Sequence, residues 1–362
     1  MAVGEGWEGL RRLAVVGPLP PRPGGVSVQT QSLAAALQGE GVEVVVVNTD
    51  LPTLRRWGPL GRALFPLVQP LVLAWRLWRR TRGCPIIHVQ AASYWGFMPV
   101  VVAALCKPSL GWGLVVTYHG HQAEGFLRRF GWLARWALAR ADAVITLSGW
   151  AGERFRAAGI PNVEVPILVP VERFPFRRRG RLRPVCLWAR HLTQDYHPEM
   201  LVRAAAEVRK ARPEFQVLVV GGGPLRQEVA RLAEALGVPV TFLGTVPFGE
   251  MPRQYQQADI FLNTSNFDNF PATLMEASAC GLPVVTTDAG GIPYMVEDGV
   301  NALVVPRGDW AAMARATLRL LDDPGLAARL SENGRRNAER CAWPAVRERL
   351  LSVYRGVLEG RA

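Results

Sequence analysis

Short β-branched runs alternate with helical stretches along this chain, and the alternation occurs in two series. The first series contains the runs LAVV, GVEVVVVNTD, CPIIHVQ, LGWGLVVTYHG and RADAVITLSGW. The second contains VCLWARH, FQVLVVGGG, VPVTFLG, DIFLNTS and LPVVTTD. Each run ends in small or polar residues and leads into a helical stretch, as strands do in βαβ units. The chain is therefore predicted to be an α/β protein with two doubly wound parallel sheets.

The charged segment FPFRRRGRLRP separates the two series. A run of arginines with Pro at both ends is typical of a connection between domains. We therefore predict a Rossmann-like domain over residues 1–176, a basic linker over 177–183 and a second Rossmann-like domain over 184–342. Residues 343–362 have no strand left to follow in their own sheet, and they are predicted to form a helix that crosses back to the first domain.

Cysteine usage and hydropathy argue against a disulfide-rich, a zinc-binding and a membrane-spanning protein. The five cysteines are odd in number, widely spaced and without a CxxC pair, which argues against a disulfide framework and against a structural zinc site. The most apolar stretches are too short for a membrane span and contain Pro, and no secretory signal pattern opens the chain. A cytoplasmic protein in a reducing environment is predicted, either soluble or peripheral on the inner face of the cell membrane.

The formal net charge of +12 is distributed unevenly. From Leu51 to Gln122 the sequence contains no Asp or Glu, while it contains eight basic residues: Arg55, Arg56, Arg62, Arg76, Arg79, Arg80, Arg82 and Lys107. Charge alone would suit a nucleic acid, but no recognition motif or aromatic-basic platform accompanies it, so nucleic acid is not predicted as a partner.

The stretch LGRALFPLVQPLVLAWRLWRRTR lies within this acid-free region. Its tryptophans and arginines suit an anionic membrane surface, so residues 55–82 are predicted to contact one. The alternative is a buried helix whose Arg-rich end is merely solvated. Pro66 and Pro70 favour that alternative because they interrupt a regular amphipathic helix.

Two carboxylates flank a helix start in the stretch FDNFPATLMEASACG. Pro271 suits the first helical turn, and the following N–H groups of Ala272, Thr273 and Leu274 would then favour a phosphate. Asp268 would reach sugar hydroxyls beside that phosphate, and Glu276, one turn further, would accept hydrogen bonds from a ribose. The alternative is that Asp268 caps the helix and Glu276 is an exposed helical residue.

This arrangement resembles the acidic-x7-acidic motif of retaining glycosyltransferases of the GT-B fold, the glycogen-synthase-like and mannosyltransferase-like "group 1" family. The resemblance extends to GPLPPRPGGVSVQTQSLAAAL, VVTYHG, ADAVITLS, VVGGGPLRQEV, VTFLGTVPFGEMPRQYQQADIFLNTS and EASACGLPVVTTDAGGIPYMVEDGVNALVV, and it covers nearly the whole chain. It implies two Rossmann-like domains that face a cleft, and metal-independent hexosyl transfer that needs no cofactor.

The resemblance also implies roles for individual residues. The catalytic set would be His119, which contacts the transferred sugar, Arg190, which neutralises the leaving diphosphate, and the pair Asp268 and Glu276. The residues that would bind the donor are Gly24, Gly25, Gly222, Val246, Phe270, Ala272 and Thr273. No metal ligand is implied.

The sequence departs from the family at two positions. The first acid is Asp268, where many relatives carry Glu. The Lys that usually follows the phosphate-binding Arg is absent, because RHLTQDYHPEM offers only Tyr196 and His197 there. His191 and His197 are the candidates for the missing second charge at the phosphate.

The predicted function is retaining transfer of a sugar from a nucleotide-diphosphate donor to an acceptor hydroxyl, with a lipid-linked or cell-surface glycan as acceptor. Two alternatives stay open. One is a catalytically silent protein that binds a nucleotide sugar, which the absent Lys favours. The other is a nucleotide-sugar epimerase of related fold, which would need a convergent set of acids and His.

Overall fold

The computed structural model describes residues 6–7, 9–20, 24–51 and 58–360, with side chains from Leu64 onward in the last range. The described chain forms two compact units. Unit one contains the residues up to Leu168 together with those from Trp343 onward, and unit two spans Val169–Ala342. No helix within the described ranges is both long enough and apolar enough to cross a bilayer.

Unit one is built on a parallel sheet of order β2-β1-β3-β4-β5-β6. Its strands are β1 (Arg12–Gly17), β2 (Glu43–Asn48), β3 (Ile86–Ala91), β4 (Gly113–Tyr118), β5 (Ala143–Thr146) and β6 (Val163–Glu164). Its helices are α1 (Gly25–Gly39), α2 (Gly58–Arg80), α3 (Met98–Leu110), α4 (Ala123–Leu138), α5 (Gly149–Ala157) and α12 (Trp343–Glu359).

Both faces of this sheet are covered, and every residue of β3 and β4 is buried. Helix α12 packs on one face, where Gly113 leaves room for Val357: a Cβ on Gly113 would lie 2.4 Å from Val357 Cγ1. The start of α12 is held by Glu40, which accepts hydrogen bonds from Trp343 Nε1 at 2.7 Å and from Arg347 Nε at 3.0 Å. The C-terminal helix is thus part of the first unit's core.

Unit two is built on a second parallel sheet, of order β12-β11-β10-β7-β8-β9. Its strands are β7 (Val185–Ala189), β8 (Gln216–Val220), β9 (Val240–Gly244), β10 (Ile260–Asn263), β11 (Val284–Thr287) and β12 (Leu303–Val305). Its helices are α6 (Pro198–Ala211), α7 (Arg226–Ala235), α8 (Met251–Gln257), α9 (Ala272–Ala279), α10 (Trp310–Asp322) and α11 (Pro324–Glu339).

The basic segment predicted as a linker, Arg177–Arg183, lies inside unit two. The carboxylate of Asp259, at the start of β10, forms ion pairs with Arg177, Arg179 and Arg183. Burial alone would raise the pKa of Asp259, but hydrogen bonds from Arg183 and the charge of Arg177 outweigh it, so this pKa is lowered. Arg179 is only 3% exposed. Its charge is therefore structural in this unit, which the local sequence did not indicate.

Helix α2 runs without a break through Pro66 and Pro70, which were expected to interrupt it. The two prolines are four residues apart, so they lie on the same side of the helix and remove hydrogen bonds from that side alone. Residues 55–57 of the predicted membrane-contacting segment lie outside the described residues.

Candidate active site

Arg190 follows β7 directly and points toward the ends of neighbouring strands in unit two. Its Nη2 forms an ion pair with Asp268, and its Nε donates to Asn263 Oδ1 at 3.4 Å, at the end of β10. The guanidinium carbon also lies 4.9 Å from the centre of the Tyr196 ring. Since carboxyl ends of parallel strands share one sheet edge, the sequence correctly predicted Arg190 to lie there, but it did not predict the ion pair.

The Asp268 carboxylate is held by three groups. Besides Arg190, it accepts hydrogen bonds from Ser265 Oγ at 3.3 Å and from the Asn269 backbone N–H at 3.0 Å. The Asp268 carbonyl in turn accepts from Gly291 N at 3.0 Å. Asp268 is thus fixed beside Arg190. The alternative in which its side chain caps helix α9 is not observed, because no side chain of the described residues caps that helix.

Two glycines allow the loop after β8 to pack against the Arg190 loop. Gly221 has φ +122°, and a Cβ there would lie 2.0 Å from the Arg190 carbonyl oxygen. A Cβ on Gly223 would lie 2.4 Å from the Leu192 carbonyl oxygen. Gly222, the residue predicted to bind the donor, has no such conflict, and its carbonyl accepts from Leu192 N at 3.0 Å. The flanking glycines therefore shape the loop that carries Arg190.

Helix α9 starts at Ala272, with Pro271 as the residue before its first turn. The N–H of Leu274 donates to the Pro271 carbonyl at 3.1 Å, so it is engaged, whereas the sequence predicted it to be free for a phosphate. The buried hydroxyl of Thr273 has no hydrogen-bond partner among the described residues. A buried hydroxyl in this state is costly, and a ligand oxygen at the helix start would satisfy it.

Glu276 lies one turn into α9 and is buried, so the alternative of an exposed helical Glu is wrong. The Tyr255 hydroxyl donates to Glu276 Oε2 at 2.7 Å. Burial raises the pKa of Glu276 to about 7, although the Tyr255 hydrogen bond and the Arg190 charge act to lower it. Tyr255 is a site residue that the sequence did not reveal, because it lies 21 positions earlier, on α8.

In unit one, Gly24 and Gly25 lie at the start of α1. Gly24 has φ +134°, a backbone conformation that side chains with a Cβ rarely adopt. Among the described residues, no atom lies within 4 Å of where a Cβ on either glycine would be. This is the geometry that close approach of a ligand to the backbone requires.

His119 follows β4 at the same sheet edge of unit one. Its Nε2 lies 2.6 Å from Gln90 Oε1, so this nitrogen carries the proton of a neutral ring. Burial lowers the pKa of His119 to about 4. Gln90, at the end of neighbouring β3, was missed because a lone Gln in a buried strand gives no sequence signal.

The two candidates for the second phosphate charge lie on the loop after Arg190. His191 is exposed, and His197 precedes α6 with φ 44°. His197 Nδ1 is buried without a hydrogen-bond partner in the described part of the chain. Tyr196 occupies the guanidinium face of Arg190, and its carbonyl accepts from Thr264 Oγ1 at 2.7 Å, which fixes the loop.

Three other residues were predicted to bind the donor. Val246 follows β9, and Phe270 and Ala272 border the α9 start, and all three are half-buried.

Among the described residues, no three His, Cys, Asp or Glu side chains converge in a way that would hold a metal ion.

Two family models match the chain. "Glycosyltransferase Family 4" matches residues 23–173, and "Glycosyl transferases group 1" matches residues 176–337.

Sequence relatives include a GDP-mannose-dependent alpha-(1-6)-phosphatidylinositol monomannoside mannosyltransferase of Mycolicibacterium smegmatis. It is 32% identical, over 68% of this chain and 71% of the relative. A D-inositol 3-phosphate glycosyltransferase of Saccharomonospora viridis is 33% identical over 60% of this chain, and the match spans about half of that relative (51%).

Among solved structures, sucrose-phosphate synthase from Thermosynechococcus elongatus superposes with a TM-score of 0.80 at 22% identity, over 97% of this chain and 100% of that one. This likeness and the two six-stranded parallel sheets confirm the predicted GT-B fold.

Proposed function

The chain belongs to the family of group 1, or family 4, glycosyltransferases, and we propose that it is a retaining, metal-independent hexosyltransferase. The donor is a nucleotide-diphosphate sugar, and the acceptor is a hydroxyl of a lipid-linked or cell-surface glycan. The M. smegmatis relative supports both parts by its name, which specifies GDP-mannose and a phosphatidylinositol mannoside.

One observation carries the proposal: a buried carboxylate lies one turn inside helix α9, and a buried side-chain hydroxyl at the start of that helix has no hydrogen-bond partner among the described residues. Glu276 and Thr273 are these residues. A donor that places a phosphate at the start of α9 and its ribose against Glu276 would satisfy the Thr273 hydroxyl. It would also give hydrogen bonds to a carboxylate that burial otherwise disfavours.

The ion pair of Arg190 and Asp268 provides the electrostatics of the transfer step. The reaction breaks the bond between the anomeric carbon and the diphosphate oxygen and forms a bond from that carbon to the acceptor oxygen. The proton of the acceptor hydroxyl passes to the departing diphosphate oxygen on the same face of the sugar, which retains the anomeric configuration, and negative charge develops on the diphosphate before that proton arrives. Arg190 stabilises this developing charge, while Asp268 orients Arg190 and accepts hydrogen bonds from the sugar.

A panel of nucleotide sugars tests the proposal in two steps. Donor-dependent thermal stabilisation identifies the donor, because a bound ligand raises apparent stability by mass action. Product formation with that donor, in EDTA, and the anomeric configuration of the product by NMR then test metal independence and retention. Glu276→Gln should lose the thermal shift, whereas Glu228→Gln, an exposed carboxylate on α7, should keep it. An inverted anomeric configuration would overturn the proposed retention. A reversible loss of turnover in EDTA would overturn the proposed metal independence.

A silent nucleotide-sugar-binding protein is the second candidate, because the segment RHLTQDYHPEM that begins at Arg190 contains no Lys. It predicts thermal stabilisation by a donor with neither transfer nor donor hydrolysis above background. The same panel therefore distinguishes the two candidates.

A further inference from the structure

Helix α2 is apolar on two faces. Its inward face carries buried side chains such as Leu73 and Leu77, which belong to the core of unit one. Its outward face carries four large apolar side chains that are between 50% and 72% exposed: Leu67, Leu71, Trp75 and Trp78. The spacings of four, four and three residues place these four on one side of the helix. Single exposed apolar residues are ordinary, but a contiguous row of this size indicates a contact surface.

The arginines at the end of α2 continue this row. Arg79 lies 5.7 Å from the Trp75 ring centre, and Arg82 lies 4.0 Å from that of Trp78. Arg79, Arg80 and Arg82 are exposed. Arg76 instead turns inward and donates to the Asn48 carbonyl at 2.6 Å. The outward arginines are therefore not needed for packing α2 onto the unit.

The surroundings of α2 in sequence reinforce this positive charge. No Asp or Glu occurs from Leu51 to Gln122, so α2, β3, α3 and β4 supply no acidic side chain that would neutralise the row. A surface with exposed Leu and Trp flanked by uncompensated Arg matches one chemical partner best: a bilayer interface, in which indole rings lie at headgroup level and guanidinium groups meet phosphates.

We propose that Leu67, Leu71, Trp75 and Trp78, together with Arg79, Arg80 and Arg82, form a docking surface for an anionic lipid bilayer; we call this set the α2 stripe. Trp and Leu insert at the headgroup boundary, while the arginines contribute the electrostatic attraction. The inference does not rest on sugar transfer, and its test measures binding without any donor, so either proposal can fail alone.

The experiment is flotation of the full chain with vesicles of phosphatidylcholine alone and of phosphatidylcholine mixed with phosphatidylglycerol, at low and at high salt. The wild type should float with the anionic vesicles at low salt and be recovered poorly with the neutral ones. The double variant Trp75→Ser/Trp78→Ser should reduce partitioning at least about tenfold by loss of apolar insertion. The triple variant Arg79→Glu/Arg80→Glu/Arg82→Glu should reduce it at least about tenfold by charge reversal.

Matched controls are needed because a chain with net charge +12 would adsorb to anionic vesicles anywhere on its surface. Trp310→Ser removes an exposed Trp of unit two, and a triple reversal changes exposed arginines on three other helices: Arg231, Arg315 and Arg329. Both controls should bind as the wild type does. Equal losses in the stripe and control triples would overturn the proposal, and so would unchanged binding of the Trp double variant.

A second copy of the chain is the other occupant that an apolar row could take. Light scattering of the wild type and of Trp75→Ser/Trp78→Ser distinguishes it. A concentration-dependent dimer that the substitutions abolish, without flotation of the wild type on anionic vesicles, would assign the stripe to self-association and overturn the membrane proposal. Circular dichroism of each variant confirms that folding is intact.

Discussion

The hydroxyl of Tyr255 donates a 2.7 Å hydrogen bond to Oε2 of Glu276, and both side chains are buried in unit two. The bond joins helix α8 to helix α9. It is the polar contact that holds a carboxylate where burial raises its pKa to about 7. A buried carboxylate with a raised pKa lowers the stability of the protein when no ligand compensates its charge. Such a residue is therefore expected at a ligand site.

Glu276→Gln should therefore increase stability and reduce donor binding. The folded state binds the Glu276 proton more tightly than the unfolded chain, whose ordinary pKa is 4.5, so ionisation favours unfolding as pH rises from 4.5 to about 7. Above that window the wild type should be less stable than the variant by about 3 kcal/mol. Below pH 4.5 the difference should vanish. Thermal unfolding across pH measures it.

The partner substitution Tyr255→Phe is the control for this prediction. It removes the hydrogen bond and keeps the ring, so it should make Glu276 harder to ionise and lower stability most at high pH. Parallel pH profiles for the wild type and Glu276→Gln would show that Glu276 is not the group responsible.

Arg190→Ala should reduce turnover by at least about a hundredfold, because the leaving diphosphate loses its main countercharge. Asp268→Ala should also lower stability, by about 3 kcal/mol, since it leaves the largely desolvated guanidinium of Arg190 without its ion pair. The double variant should be more stable than Asp268→Ala alone. Arg226→Ala, an exposed arginine near the Phe242 ring, is the control and should change neither quantity. Additive losses in the double variant would contradict a direct pair.

Thr273→Val should leave stability unchanged or raise it slightly, because the lost hydroxyl is buried without a partner in the described structure. Donor affinity should fall about tenfold, by the loss of one hydrogen bond to a charged group. Thr264→Val is the matched control: its hydroxyl accepts from Trp188 Nε1 at 2.9 Å and donates to the Tyr196 carbonyl, so that variant should be destabilised. Titration calorimetry and thermal unfolding of both variants measure these effects. Unchanged donor affinity in Thr273→Val would remove this residue from the phosphate site.

The sheets and the strand-end residues were predictable from the sequence, because strand patterns and the shared edge of parallel strands are local rules. Arg190 and the helix after Asp268 were placed correctly for this reason. Pairs formed at long range were not predictable. Tyr255 gave no signal as a partner of Glu276, and Arg177–Arg183 seemed a linker because the Asp259 that neutralises three of its arginines lies about 80 positions further along.

Helix α2 is a second element whose structure the local sequence pattern did not fully predict. The sequence correctly suggested an exposed basic end, but local propensity suggested that Pro66 and Pro70 would break the helix. Packing of Leu73 and Leu77 into the core decides the outcome, because burial of the inward face compensates the lost hydrogen bonds. Tertiary packing of this kind is not encoded in a local pattern.

His119 should remain neutral throughout the working pH range, since burial lowers its pKa to about 4. Its titration should therefore be absent from the pH–rate profile between roughly pH 5 and 8. Gln90→Glu should introduce one, because a carboxylate beside Nε2 raises the pKa of His119. Gln90→Leu removes the acceptor without adding charge, and it should lower the rate while adding no new step to the profile. Nitrogen-15 NMR of the His119 ring checks its protonation directly. A wild-type profile that loses a step in His119→Gln would contradict the prediction.

His197 supplies the sharpest test of the missing Lys. It holds a left-handed backbone conformation, φ 44°, which costs about 1 kcal/mol in a residue with a Cβ, and its Nδ1 is buried without a partner in the described residues. His197→Gly should therefore raise stability. If the ring contacts the leaving diphosphate, the same variant should lower turnover about tenfold, and His197→Lys should retain turnover because it restores a countercharge. His197→Asn tolerates the same backbone conformation without charge, and it should behave as Gly does in turnover. Wild-type turnover in the Gly and Asn variants would instead direct the search to His191, the exposed residue directly after Arg190.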